Sequence, residues 1–406
     1  MSTTFSDSRP KMKRIIICCD GTWQDSDGGK LDVPTNVTRV ARALKSYTDD
    51  GVSQVVYYQS GVGAGGGGTF NRLVGGGTGL GLSENVREAY GFLAHNYHPG
   101  DTIHLFGFSR GAYTARSICG LVCRIGILTK KGMDSFYQVY KDYQAKKFRD
   151  PSAVAELQAR EGGSLIVPNV RVKTVCCWDT VGSLGIPSVG VPIIGDWIAG
   201  NEQEKYGFHD TDLSPRVDNA FHALALDEHR GPFTPTLWKK TEDTPVNLKQ
   251  CWFPGVHTNI GGGYDDQEIA DMTLAWIIQQ LFPFLQFDDD YLKSIIHNND
   301  DHSSGEWAAG KIYDSATGIL RVVGGNVRTP GGYGDGTEET IHKSVRVRMK
   351  VVAGWSSKAL KGWTWNEDGG YWEKGSKRMA EDDLGPLEKS LAGKAVVKDM
   401  LGEDMS

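Results

Sequence analysis

Three residues in this sequence have the types and settings that ester cleavage needs. They are Ser109 in Gly107-Phe108-Ser109-Arg110-Gly111, Asp179 in Trp178-Asp179-Thr180, and His257 in Pro254-Gly255-Val256-His257. A serine hydroxyl attacks a carbonyl only when a neighbouring base takes its proton. A histidine serves as that base only when a third group fixes its tautomer and steadies the imidazolium. In that scheme Ser109 is the nucleophile, His257 the general base and Asp179 the acid that orients it. The oxyanion formed on attack needs backbone N–H donors aimed at it. The Arg110 amide, at the start of a helix, is one expected donor, and the turn at Gly21 and Thr22 after the first strand supplies the other. His222 is the competing histidine. Its segment, DNAFHALALDEH over 218–229, has apolar residues at helical spacing, so His222 reads as a structural histidine on a helix.

Each of the three residues must be held at the end of a strand. Thr102 to Phe106 is a short apolar, β-rich run that stops at the glycine-flanked serine. From Ala112 the apolar residues Ala115, Ile118, Cys119 and Val122 recur at helical spacing. Strand, abrupt turn and helix with a serine at the apex make the nucleophile elbow of an α/β hydrolase. The flanking glycines keep side chains out of strand and helix, and the helix N-terminus turns free N–H groups toward developing negative charge. Lys13 to Cys19 is a continuous apolar run suited to a buried parallel strand, ending at Asp20-Gly21-Thr22-Trp23. A helix capped by Thr35 or Asn36, a strand over 54–59, a helix capped by Ser83, and strands over 171–178 and 246–253 follow. This alternation predicts an α/β fold, an α/β-hydrolase-like, mostly parallel sheet with helices on both faces. The order serine, aspartate, histidine is the order that fold uses.

The remaining segments are read around that frame. Residues 1–12 are a polar leader expected to be disordered, 13–350 the catalytic domain with surface insertions at about 130–168 and 184–215, and 351–406 a small, partly disordered C-terminal extension. Trp355, Trp363, Trp365 and Trp372 suggest a small β appendage there, and 319–323 and 344–352 look β-like. Gly61 to Leu82 lacks the Lys-Ser/Thr ending of a nucleotide loop and is expected to fold close over the sheet edge. Leu184 to Ile198 is apolar but broken by Gly and Pro, which suits a lid or acyl-chain wall presenting Ile193, Ile194 and Trp197 to substrate.

Composition excludes several functions. With 39% hydrophobic and 23% charged residues the chain is a soluble globular protein, and a net charge of -6 argues against a nucleic-acid partner. All seven cysteines fall inside expected strands or helices, as reduced buried thiols do, and none has zinc-ligand spacing. No apolar run reaches the length of a signal core or membrane span, so a cytoplasmic protein is expected. Asp20, Asp265 and Asp266 form an alternative hard-cation reading, but loop acids at a sheet edge are usually solvated, so neither metal nor cofactor is expected.

The segments CCDGTW, TNVTRVARAL, GGGTGLGLSENVREAYGFL, LFGFSRGAYTAR, WDTVGSLG, HALALDE and WFPGVHTNIGGGY together resemble the type VI secretion phospholipase-effector-like (Tle-type) catalytic domain, over roughly 13–285. The resemblance implies an α/β-hydrolase fold, Ser109 as nucleophile with Asp179 and His257 as its partners, and phospholipase A-type ester hydrolysis. Members commonly carry an aspartate two residues after the histidine, where this chain has Asn259, so no carboxylate role carries over there. The expected activity is serine hydrolysis of a carboxylic ester, of a lipid or phospholipid, with transient contact to a membrane surface. The alternative is a catalytically silent hydrolase-like binding protein. Covalent labelling of the serine separates the two.

Overall fold

The computed structural model describes residues 12–21, 33–61, 80–181, 213–297, 307–315 and 326–392. Twelve strands are present among them: β1 Arg14–Cys19, β2 Gln54–Gln59, β3 Thr102–Phe108, β4 Ile127–Leu128, β5 Ile166–Val167, β6 Val172–Trp178, β7 Val217–Ala225, β8 Asn247–Phe253, β9 Glu339–His342, β10 Thr364–Asn366, β11 Tyr371–Lys374 and β12 Lys377–Asp382. The α-helices are α1 Asn36–Ala43, α2 Leu80–Asn96, α3 Arg110–Ile125, α4 Phe136–Gln144, α5 Pro151–Ala159, α6 His257–Gly261, α7 Glu268–Leu281, α8 Asp289–His297 and α9 Lys343–Val351.

Ten strands form one sheet in the order β10-β11-β12-β9-β8-β7-β6-β3-β1-β2, and β4 pairs with β5 in a small ribbon. From β2 to β12 every pairing is parallel; β11 alone runs against the rest, pairing antiparallel with both β12 and β10. Alternate side chains of β1 explain why both faces must be covered. Ile15 and Ile17 pack with Val86, Tyr90 and Leu93 of α2 and with Ala112, Ile118 and Val122 of α3. Ile16 and Cys18 point to the other face, with Val37 and Val40 of α1 and Ile269, Trp276 and Ile277 of α7. The mixed α/β architecture, a large mostly parallel sheet between helical layers, is α/β-hydrolase-like.

The chain steps outward from β1 to β2 and then returns past β1 to β3, so the winding direction reverses between β1 and β3. Open parallel sheets place their ligand crevice at the carboxyl ends of the strands flanking such a reversal. Ser109 follows β3 and Gly21 follows β1, at that crevice.

Three local expectations are corrected. The segment around His222 is the strand β7, not a helix: it is buried along nearly its whole length between β6 and β8, and a run buried on both faces carries no alternation to distinguish it from a buried helix. Residues 344–352 are not β-like but lie mostly in α9, where Val345 and Val347 are buried and Met349 and Lys350 are exposed. The helix assigned to a Ser83 cap begins earlier, at Leu80; Ser83 instead hydrogen-bonds the Tyr140 hydroxyl at 2.9 Å. The tryptophan-rich segment, in β10 and β11, extends the main sheet beyond β12, with Trp363 and Trp372 buried against Leu224, Trp252 and Ile341. The segment 319–323 lies outside the described residues.

Candidate active site

The elbow is set by backbone geometry. Ser109 has φ 59 and ψ −123, a left-handed conformation that a non-glycine residue adopts only at a cost of about 1–3 kcal/mol unless its surroundings enforce it. They do. The Ser109 N–H donates to the Trp178 carbonyl at 3.1 Å, which ties the apex to the end of β6. A Cβ on Gly107 would lie 2.5 Å from the Ala112 Cα, and one on Gly111 would lie 2.2 Å from the Cys19 carbonyl oxygen. Strand β3, helix α3 and the end of β1 therefore close on the serine only because both positions lack side chains.

The other two residues are brought to Ser109 from β6 and from the start of α6. Asp179, immediately after β6, is also left-handed at φ 43 and completely buried. Its carboxylate can only accept, so the His257 Nδ1–H donates to Asp179 Oδ2, at 2.6 Å. That tautomer leaves His257 Nε2 as an acceptor, and Ser109 Oγ stands 2.8 Å from it, placed to donate its proton. The imidazole lies between the Phe108 and Phe233 rings, with centroids 4.7 and 4.9 Å away. Burial is the largest influence on His257 and pulls its pKa below the ordinary value; Asp179 opposes it only in part. Burial pushes the Asp179 carboxyl up, but the Arg328 charge and the hydrogen bonds from His257 and Arg328 outweigh this and hold it well below the usual range.

Two supporting groups gave no usable signal in the sequence. Arg328 is buried and grips Asp179 with both terminal nitrogens, Nη1 to Oδ1 and Nη2 to Oδ2, the latter at 2.9 Å. Glu228, just past the end of β7 and 1% exposed, receives the His257 backbone N–H at 3.2 Å. It also accepts from the His229 and Arg230 amides, the Arg230 guanidinium and the Ser315 hydroxyl. Beside it, Asp227 accepts from the Gly255 N–H at 2.7 Å, so the Asp227-Glu228 pair holds both sides of the loop that carries His257. The Asp-Glu dipeptide stands in the HALALDE segment, but its function depends on a loop some thirty positions away.

The expected oxyanion donors divide. Arg110 opens α3, and the amides of a helix's first turn have no partner within the helix. The Gly21 N–H instead donates to its neighbour Asp20 Oδ1 at 2.6 Å, and Thr22 lies outside the described residues. Ile193, Ile194 and Trp197 also lie outside them, as does nearly all of Gly61 to Leu82. The half-buried Arg110 guanidinium has no ion-pair partner among the described residues, and burial lowers its pKa to about 10.

Asp20, Asp266, His222 and Asn259 are otherwise engaged. Asp20 Oδ2 accepts from the Thr35, Thr38 and Tyr58 hydroxyls, so its oxygens meet proton donors. Asp266 accepts the Glu268 amide at the start of α7 and the Lys311 amide. His222 Nε2 accepts the Thr180 N–H at 3.0 Å while Nδ1–H faces Gln250 Oε1, and burial depresses its pKa to about 3. Asn259 accepts from the Val256 amide and donates its own amide to the Lys311 carbonyl at 2.9 Å. A carboxylate could do the first but not the second.

Comparison with known proteins gives the family context. A model described as T6SS, phospholipase effector Tle1-like, catalytic domain matches residues 13–280. An uncharacterized protein of Saccharomyces cerevisiae is 29% identical over 241 residues, covering 54% of this chain and 32% of that protein. The chain thus spans about a third of that relative's length. A crystal structure of an uncharacterized protein from Pseudomonas aeruginosa aligns with TM-score 0.38 and 16% identity, over 70% of this chain and 47% of the other.

Proposed function

The chain belongs to the Tle1-like phospholipase effector catalytic-domain family, and from that premise we propose that it is a serine hydrolase cleaving a carboxylic ester of a lipid through Ser109, His257 and Asp179. What carries this reading is one continuous hydrogen-bond chain, Ser109 Oγ to His257 Nε2 at 2.8 Å and His257 Nδ1 to Asp179 Oδ2 at 2.6 Å, on a strained serine at a helix N-terminus.

The steps follow from those contacts. As Ser109 Oγ forms a bond to the acyl carbon, its proton passes to His257 Nε2, and Asp179 steadies the resulting imidazolium. The carbonyl oxygen becomes an oxyanion, which the Arg110 amide and the α3 N-terminus stabilise. Collapse breaks the carbon–oxygen bond, and the departing alkoxide takes the proton from His257. A water then attacks the acyl-serine, passing a proton to the same nitrogen; the acyl carbon–Oγ bond breaks, Ser109 Oγ takes that proton back from His257, and the carboxylic acid is released. Arg110, the residue after the nucleophile, has no ion-pair partner among the described residues, and its charge would favour a substrate with a negative group, as a phospholipid has.

Turnover against a panel of neutral acyl esters and glycerophospholipids tests this. The wild-type protein should release fatty acid from phospholipid, Ser109→Ala should release none, and Arg110→Gln should raise KM for the phospholipid more than for the neutral ester. Hydrolysis that survives Ser109→Ala would refute the mechanism.

A further inference from the structure

We propose that Arg328 is a positioning residue of this site: its guanidinium, clamped on both oxygens of Asp179, fixes the plane of that carboxylate and keeps the base neutral. The inference rests on the hydrolase reading for its catalytic meaning, but its geometry and its test stand apart from it.

Four donors meet the Asp179 carboxylate. Oδ1 takes the Ala225 N–H at 3.0 Å and Arg328 Nη1; Oδ2 takes His257 Nδ1 and Arg328 Nη2. Arg328 is itself held, Nη1 also donating to the Ala225 carbonyl at 2.7 Å and Nη2 to the Phe233 carbonyl at 2.8 Å. A planar two-point clamp of this kind sets orientation as well as distance. The carboxylate therefore cannot rotate, and Oδ2 stays aimed at the imidazole.

The same arrangement has an electrostatic consequence. A buried carboxylate alone would favour the imidazolium, raising the pH at which His257 becomes a base. Arg328 shares Oδ2 with His257, so a fixed positive charge offsets that pull. The other charged groups around His257 are Glu228, which accepts its backbone N–H, and Arg230, which is paired to Glu228. Glu228 pulls the imidazole toward its charged form and Arg230 pulls the other way; Arg328, on the oxygen that faces the imidazole, adds a fixed positive charge beside Asp179. Arg328 comes from beyond the 13–280 stretch that matches the family. The site of this chain is completed by a residue outside that stretch.

The test is the titration of His257 in full-length protein, followed by NMR of labelled histidine in the wild type, Arg328→Met and Arg328→Lys. Alongside it, the pH dependence of fluorophosphonate adduct formation is measured by intact mass. Arg328→Met should raise the His257 midpoint by about one pH unit, the size expected for losing a like charge at short range, and shift the acid limb of labelling equally. Arg328→Lys keeps the charge but not the two-point clamp, so it should keep the wild-type midpoint and label more slowly. An Arg328→Met midpoint equal to wild type overturns the proposal. Should Arg328→Met not fold, an Arg328→Lys protein that labels at the wild-type rate, or whose midpoint moves up, overturns it equally. A wild-type protein that gains no adduct would instead sink the hydrolase reading, and the NMR titration would still decide the role of Arg328.

Discussion

Replacing Glu228 with glutamine should cost the protein much of its stability at neutral pH and little of it in acid. Burial pushes the Glu228 carboxyl up, but the hydrogen bonds and charge of Arg230, with the nearby His257, outweigh it and hold the group at about 2 against an ordinary 4.5. At about 1.4 kcal/mol per pH unit, that depression corresponds to roughly 3 kcal/mol of stability. The sign follows from its direction. A carboxyl more acidic in the folded than in the unfolded state stabilises the fold above its unfolded value, and the contribution is lost as pH falls from about 4.5 toward about 2. Glutamine cannot carry the charge that the Arg230 guanidinium meets at 2.8 and 2.9 Å, so it should forfeit this term. Urea denaturation of wild type and Glu228→Gln between pH 7 and pH 2.5 reads the effect as a difference between two curves. The difference should be roughly 3 kcal/mol at pH 7 and shrink toward zero at the acid end. Because Glu228 also accepts the His257 amide, turnover should fall by roughly 10²-fold, the cost of a small displacement of a reacting group. A variant as stable as wild type at pH 7, or a stability gap constant down to pH 2.5, would refute the reasoning.

Asp179→Asn should destabilise the fold by about 3–5 kcal/mol, because buried Arg328 loses its counter-charge, and in the protein that remains folded it should present the wrong tautomer of His257 to Ser109, lowering kcat by roughly 10⁴-fold; near-full activity would place the acid elsewhere. The kcat/KM profile should rise with pH as His257 loses its proton and level off above a midpoint below 6.5, because burial lowers the pKa of that base; a midpoint above 7 would contradict the neutral buried imidazole. Asn259→Asp sets a carboxylate against the Lys311 carbonyl in place of the 2.9 Å amide bond, and should cost about 1–3 kcal/mol in thermal or urea unfolding; an unchanged stability would show that this bond does not hold the loop.

The sheet and the elbow were legible because their signals are local. β3, the turn and α3 are contiguous, and the glycines on either side of Ser109 are demanded by atoms within a few residues or on the adjacent strand. Asp179 and His257 stood out in the sequence as candidates because both follow apolar runs at strand ends. β7 was illegible for the same physical reason that it is central. A strand flanked by neighbours and covered on both faces shows no alternation, and DNAFHALA mimics helical spacing. α9 misled in the opposite sense, because VRVRMKV alternates like a strand while its valines pack inward from a helix. Arg328 left no trace, since its partner Asp179 lies 149 positions away and arginines carry no pattern that marks a buried clamp.

The central claim is that Ser109 is an activated nucleophile, and covalent capture tests it most directly. A fluorophosphonate reacts only with a serine that has both a base and an oxyanion site beside it. Intact-protein mass spectrometry, followed by mapping of the adduct, should show one added group, on Ser109, forming faster as pH rises through the His257 midpoint. Ser109→Ala and His257→Ala should take up none and His222→Ala should label, while Ser109→Ala keeps the wild-type melting temperature. A folded wild-type protein with no adduct, or an adduct on another serine, would contradict the account.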